Sequence, residues 1–424
     1  MRRDLERALA LRRGGDLAGA ESRLRRALEK DPRDPEALNL LGLIAIDRCD
    51  YTAAFDWLSR ALKARKPHID ALVNLSVAFN RTGQYALAQR SCVTVLSHAP
   101  GHPLATINLG LAFKGMGQLD KAKTAFIAAG SHPMARFNLG YVHLLEDNLA
   151  RGLPLYEERK ALLGLGRGLD APEWDGAPLE GGTLLVVHEQ GLGDTILMSR
   201  FYPRLAELAG RVVVHVQPPI ARLIAASFPG LHVVTSLDGV RYDAWCGHMS
   251  LPLRLGIRDL KDVPLEPWLA AGGQRSPRAR PRVGINWAGN PSFTYDFIRS
   301  THLEQLSLML EVSEVEWCSL HRGHLEHEAL SFGLAQPLAG AQDFLDTARV
   351  IADLDLVIST ETAVPNLSAA MGVRTCVLTS PDVDWRWRSW YANVTVCAQD
   401  EPGNWFSAMA QALEVIRTEL LAAA

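Results

Sequence analysis

Four short stretches of this chain carry residues whose types and spacing suit chemistry on a phosphorylated substrate. The first is His188-Glu189-Gln190-Gly191-Leu192-Gly193-Asp194-Thr195, where glycines let the backbone turn tightly between an apolar run and a helical one. Asp194, near the start of the helical run, would face the cleft beyond the strand ends, although its plain alternative is to cap the helix, which aspartate does well. The second stretch holds Asn286, Trp287, Gly289 and Asn290, and continues through Tyr295 to Arg299, Ser300 and Thr301. An arginine beside two hydroxyls suits the grip on a diphosphate, whereas a merely solvated arginine is the bland reading. The third, Ser359-Thr360-Glu361-Thr362-Ala363-Val364-Pro365-Asn366, feeds a helix of small residues whose free amides and dipole favour a phosphate. Pro365 fits a first turn, and simple capping by Thr360 or Thr362 is the competing reading. The fourth, Asp382 to Trp387, offers the aromatic face of Trp385 and an arginine where a base or sugar would stack. His321, His324 and His327, three residues apart, wind around a helix and do not converge, so no metal site is expected.

These stretches follow apolar runs. Strands are expected at 184–188, 212–216, 232–235, 283–287, 315–320, 354–359 and 375–378. Runs so uniformly apolar suit parallel strands buried on both faces, with helices as crossovers, and ligands then bind beyond the carboxyl ends of the strands. The Gly, Pro and Arg-rich segment 271–281 reads as a linker between two such lobes.

The first third has another organisation. Ala20, Ala54, Ala88 and Ala122 recur every 34 residues, as do Leu24, Leu58, Cys92 and Phe126. Gly42 and Gly110 hold the same slot, and Pro32 and Pro100 stand where a second helix must end. This is the tetratricopeptide period, in which small residues let two helices cross closely. A further unit begins at Asn138 and departs from the pattern at Leu153-Pro154, as a capping unit would. Such arrays use a concave groove to hold a peptide or protein.

Across 424 residues the formal net charge is −3, which gives no general drive toward nucleic acid or anionic membrane. With no signal core at the start and no apolar stretch of spanning length, a cytoplasmic protein is expected. The six cysteines are scattered without zinc or disulfide spacing.

Taken together, the chain resembles bacterial tetratricopeptide-containing glycosyltransferases. Their catalytic part has the GT-B fold and is similar to the lipopolysaccharide heptosyltransferases and, more remotely, the O-GlcNAc transferases. The resemblance rests on Pro172-Glu173-Trp174-Asp175-Gly176, Glu189 to Thr195, Gly284 to Pro291, Arg299-Ser300, Thr362-Ala363-Val364 and Asp384-Trp385-Arg386-Trp387. It implies a helical solenoid over 1–168, an acceptor-side Rossmann-like lobe over 169–275 and a nucleotide-sugar lobe over 276–424. It further implies metal-independent, inverting transfer with no cofactor beyond the nucleotide-sugar donor. Asp194 would be the general base, with Asn286, Trp287, Asn290, Arg299, Ser300, Glu361, Thr362, Ala363, Asn366 and Trp385 toward the donor. The repeats would present a protein acceptor, flagellin or another secreted protein among the candidates. An envelope saccharide or lipid-linked glycan is the alternative acceptor, and a non-catalytic adaptor with a degenerate transferase half is the third reading. The family's Asp-Thr-Ala-Val-Ala-His becomes Glu361-Thr362-Ala363-Val364-Pro365-Asn366 here, a departure bearing on donor identity and on activity itself.

Overall fold

The computed structural model describes residues 2–273, 275–293 and 296–422. It comprises two compact units, Met1–His143 and Leu144–Ala424.

The first unit is a succession of antiparallel helix pairs, running from Arg2–Arg13 and Leu17–Lys30 to Pro103–Gly115 and Leu119–Ala128, with Pro133–Leu145 following. Ala20, Ala54, Ala88 and Ala122 are fully buried, as are Leu58 and Cys92, with Leu24 and Phe126 close to it. A Cβ at Gly42 would stand 2.5 Å from Leu58 Cγ, and one at Gly110 2.5 Å from Phe126 Cε1, so the small residues are what let each pair close. Proline has a second use that the spacing did not suggest. Pro35 and Pro103 begin helices at their first position, where a missing N–H costs nothing. The second helices begin at equivalent slots, Asp16 and Asp50 capping Gly19 N at 2.8 Å and Ala53 N at 3.0 Å, whereas Gln84 and Gln118 make no side-chain cap.

The second unit holds two parallel sheets. Strands β1 (Leu179–Val187), β2 (Ala209–His215), β3 (His232–Val234) and β4 (Ala244–Gly247) pair in the order β3-β2-β1-β4. Strands β5 (Arg282–Asn286), β6 (Glu316–Ser319), β7 (Leu356–Thr360), β8 (Arg374–Thr379) and β9 (Val394–Ala398) pair in the order β6-β5-β7-β8-β9. Every pairing is parallel. In each sheet the chain reverses its direction of progress once, between β1 and β4 and between β5 and β7, and such switch points open a crevice at the carboxyl edge.

Strands β4 and β9 were not expected. Ala244-Trp245-Cys246-Gly247 has no β-branched residue, and β9 follows closely on a tryptophan-rich helix, so neither reads as an isolated apolar run. The segment from Pro172 to Gly176 explains itself against β4: Trp174 N donates to Trp245 O at 2.7 Å, while Glu173 takes Lys160 at 2.5 Å and Arg254 at 2.7 Å. The linker is tied at its far end, where Ser276 N and Arg278 Nη2 both reach Asp353 Oδ1, at 2.6 and 2.8 Å.

Candidate functional site

The loop after β1 is fixed from below by a buried ion cluster. Arg159, itself fully enclosed, forks onto Glu189 with Nε–Oε2 and Nη2–Oε1 distances of 2.8 Å. It also donates to Glu157 at 2.6 Å, Ser250 at 2.7 Å and the Tyr156 carbonyl at 3.2 Å, and Glu189 Oε1 accepts Met249 N at 2.9 Å. Glu189 thereby ties the turn to the segment following β4, across the first sheet's switch point. Its neighbour Gln190 takes φ of 60°, and its amide reaches Tyr156 Oη at 3.2 Å.

Asp194 lies in the first turn of the helix Leu192–Met198, which is interrupted at Ser199 by a tighter turn. It does not act as the cap residue itself. Instead Oδ2 accepts Gly191 N at 2.8 Å, and Oδ1 accepts Nη1 of Arg386, 192 residues further along the chain. The Arg386 fork is set by Asp384, with Nε–Oδ1 at 2.7 Å and Nη2–Oδ2 at 2.8 Å. Asp194 and Arg386 both keep some solvent contact, at 13% and 21% exposure of their side chains.

Arg386, expected from the sequence as an arginine beside aromatic faces where a base or sugar would stack, is held instead against Asp194, a pairing the sequence does not show. Trp385 is buried, edge-on to Trp390 at 5.0 Å and to Tyr156 at 6.2 Å, and Trp387 stacks on Tyr391 at 5.5 Å. The expected open aromatic faces are thus packed inside the unit.

Beside Asp194, Gly193 sits against the start of the helix Ala363–Ala370, where a Cβ would come 2.6 Å from Asn366 Nδ2. Thr362 caps that helix through Val364 N at 3.3 Å, and Asn366 Nδ2 returns to Thr362 O at 2.8 Å. Asn286, at the end of β5, donates to Ser359 Oγ at 3.0 Å and Thr362 Oγ1 at 3.1 Å and meets His321 Nδ1 at 3.1 Å through its oxygen. Its bonding capacity goes into holding Thr362 across the second sheet's switch point. Trp287 is fully buried with its ring on His321 at 4.8 Å, and burial, followed by the charge of His324, holds the His321 pKa below the usual range.

Arg299 bonds Asp296 Oδ1 and the Glu361 carbonyl, both at 3.0 Å, and lies over the Phe293 ring at 4.4 Å. Ser300 Oγ accepts Gly289 N at 2.8 Å, so the pair closes its own loop onto the one carrying Glu361. Asn290 is exposed and turns its side chain back to Ser292 N at 3.0 Å. Tyr295 lies outside the described residues. Ala363 is half-buried at the helix start. Glu361, also half-buried, has a carboxyl pushed up to about 8, first by burial and then by the charge of Asp384.

The loops following β1, β7 and β8 thus converge, bringing Asp194, Thr362, Ala363, Asn366, Asp384 and Arg386 together, with Asn286, Arg299 and Glu361 behind them. Thr360 Oγ1 and Thr379 Oγ1, ending β7 and β8, are fully buried without a hydrogen-bond partner. A further joint lies apart from the loops. Arg200 is buried over the rings of Trp268 at 4.0 Å and Tyr391 at 4.9 Å, and donates to the carbonyls of Leu197, Pro264 and Trp390. Burial draws its pKa down to about 10. Among the described residues no group of three His, Cys, Asp or Glu side chains could hold a metal ion, and no helix is long and apolar enough to cross a membrane.

The tetratricopeptide repeat family matches residues 5–69 and 107–162, so the helical array consists of tetratricopeptide repeats, joined in this chain to two parallel α/β sheets. Protein FlbA of Caulobacter vibrioides is 24% identical over 375 residues, covering 75% of this chain. The chain spans 62% of the length of that relative. Among solved structures it is similar to TTC0263, a thermophilic TPR protein of Thermus thermophilus, with 23% identity, coverage of 40% of this chain and 93% of that one, and a TM-score of 0.36. MamA 41-end of Desulfovibrio magneticus RS-1 gives 24% identity, coverage of 40% and 97%, and a TM-score of 0.32.

Proposed function

We propose that the second unit is a glycosyltransferase of the GT-B kind, which moves a sugar from a nucleotide-sugar donor to a protein acceptor held by the repeats. The observation that carries this reading is the convergence of loops from the carboxyl edges of two parallel sheets, each at its switch point, on a carboxylate, a guanidinium and a helix start. In this reading the second sheet takes the nucleotide at its carboxyl edge. Arg299 acts mainly by holding the Glu361 loop against it. Asp194 removes the acceptor hydroxyl proton, and the departing phosphate takes up negative charge beside the helix start and the guanidinium.

The test is thermal denaturation against a panel of nucleotide sugars, including cytidine monophosphate-linked nonulosonic acids. A ligand at 100 times its dissociation constant stabilises by about 2.7 kcal/mol, which a melting curve resolves. Silence across the panel favours a second reading, a protein-binding adaptor, for which the engagement of both Asp194 oxygens within the chain speaks.

A further inference from the structure

We propose that Arg386 is an exchangeable anion-binding residue: it holds Asp194 while the site is empty, passes to a phosphate of the bound nucleotide, and by that exchange frees Asp194. The inference rests on the reading of the site as a nucleotide-sugar site.

The geometry separates the two sides of this guanidinium. Nε and Nη2 are committed to the two oxygens of Asp384, only two residues away, so the plane of the fork is set before any ligand arrives. Nη1 alone points across to Asp194, from the loop after β8 to the loop after β1. A ligand anion therefore has one contact to replace, and the arginine need not reorient.

Asp194 is equally prepared for release. Its Oδ2 remains on Gly191 N at 2.8 Å, a bond internal to its own turn, so loss of Arg386 leaves the carboxylate in place with Oδ1 open. Both partners are partly solvated, at 13% and 21%, which keeps the pair in the range where a competing anion can displace it. The neighbourhood suits a phosphate as the competitor. The start of the helix Ala363–Ala370 adjoins Gly193, and the Glu361 carboxyl, largely neutral below about pH 8, does not oppose a second negative group. Since each phosphate carries at least one full charge, it competes with Asp194 on equal terms for Nη1 and gains the favourable dipole of the helix start in addition. The exchange couples occupation of the donor site to exposure of the base, so the base is unmasked only when a leaving group is in position.

The experiment is calorimetric titration of uridine, guanosine and cytidine diphosphates and of cytidine monophosphate into the full chain and its variants. For the nucleotide that binds best, Arg386→Gln should weaken affinity roughly tenfold to a hundredfold, with partial recovery in Arg386→Lys. Asp194→Asn keeps the side-chain shape and removes only the competitor, so it should tighten nucleotide binding by roughly three- to tenfold. That gain should vanish in the double variant Asp194→Asn/Arg386→Gln. A purely structural pair would give no gain in Asp194→Asn. Unchanged affinity in that variant, or in a folded Arg386→Gln, overturns the exchange and leaves the nucleotide reading standing. If the parent binds none of the four nucleotides, both fall together.

Discussion

Replacing Arg159 by alanine should destabilise the second unit more than any other single truncation of a polar residue there. The substitution leaves Glu189 buried with only Met249 N as partner, and it strips Glu157 of its nearest cation, leaving Lys160 at 2.8 Å and Arg254 at 3.3 Å. Breaking a buried pair from one side costs about 3–5 kcal/mol, because the remaining charge stays desolvated. The lost stacking of the guanidinium on Tyr156, 5.0 Å away, adds to that. At about 2–4 °C per kcal/mol for a unit of this size, the transition should fall by roughly 6–20 °C. Scanning calorimetry of the full chain reads this directly. A double variant, Arg159→Met with Glu189→Leu, removes both charges but strands the Met249 amide, at a cost of about 1–3 kcal/mol, and should therefore fall between parent and single variant. There is also a pH signature. Burial pushes the Glu157 carboxyl up, but Arg159 and Lys160 outweigh it and hold it below the ordinary value. Glu157 therefore contributes stability at neutral pH that is lost on acidification, and Arg159→Ala should shrink that acid-dependent part. A fall of less than about 2 °C, with unchanged acid sensitivity, would show the cluster to be energetically idle.

Three other outcomes follow from the same geometry. The Glu361 carboxyl is raised, so the stability it confers is full below the unfolded-state value near 4.5 and is lost as pH rises through about 8; Glu361→Gln should flatten this decline by about 1–2 kcal/mol in melts from pH 5 to 9. Gly193→Ala should push the β1 loop off Asn366, weaken nucleotide binding and lower turnover by at least tenfold, since a misplacement of about 1 Å at a site costs on the order of 10²-fold; parental kinetics in this variant would show that the two loops need not approach. Gly42→Val should destabilise the repeats by roughly 1–3 kcal/mol in chemical denaturation, because its side chain must enter the space of Leu58.

Much of this was readable in the residues, for identifiable reasons. The repeats declare themselves because identical helix crossings demand small residues at one spacing, and Ala20, Ala54, Ala88 and Ala122 all prove fully buried. The place of Asp194 and Thr362 at strand-to-helix turns was legible, because small and polar residues following an apolar run mark such turns. Arg386 was not, since its meaning depends on a partner 192 positions away, and nothing local distinguishes it from Arg388, which is exposed. The tryptophans misled for the opposite reason. An aromatic cluster beside a strand end looks the same in sequence whether it awaits a ring or has already packed on Tyr156, Trp390 and Tyr391. Strand β4 was hidden by its composition, and the Arg159–Glu189 fork by burial of charges that usually signal surface.

The Arg200 joint has a consequence for how the unit should respond to ionic strength. Its guanidinium is enclosed by indole and phenol faces and backbone carbonyls, and its three hydrogen bonds all go to carbonyl oxygens. Dissolved salt has little to screen there, because the partners of this cation among the described residues are neutral rings and carbonyls. The Asp194–Arg386 pair, partly wet and formally ionic, is open to screening over a Debye length of about 8 Å at physiological salt. Raising salt should therefore loosen the Asp194–Arg386 contact while the Arg200 joint stays shut. Ionic strength becomes a dial on that one contact, separable from the cohesion of the unit.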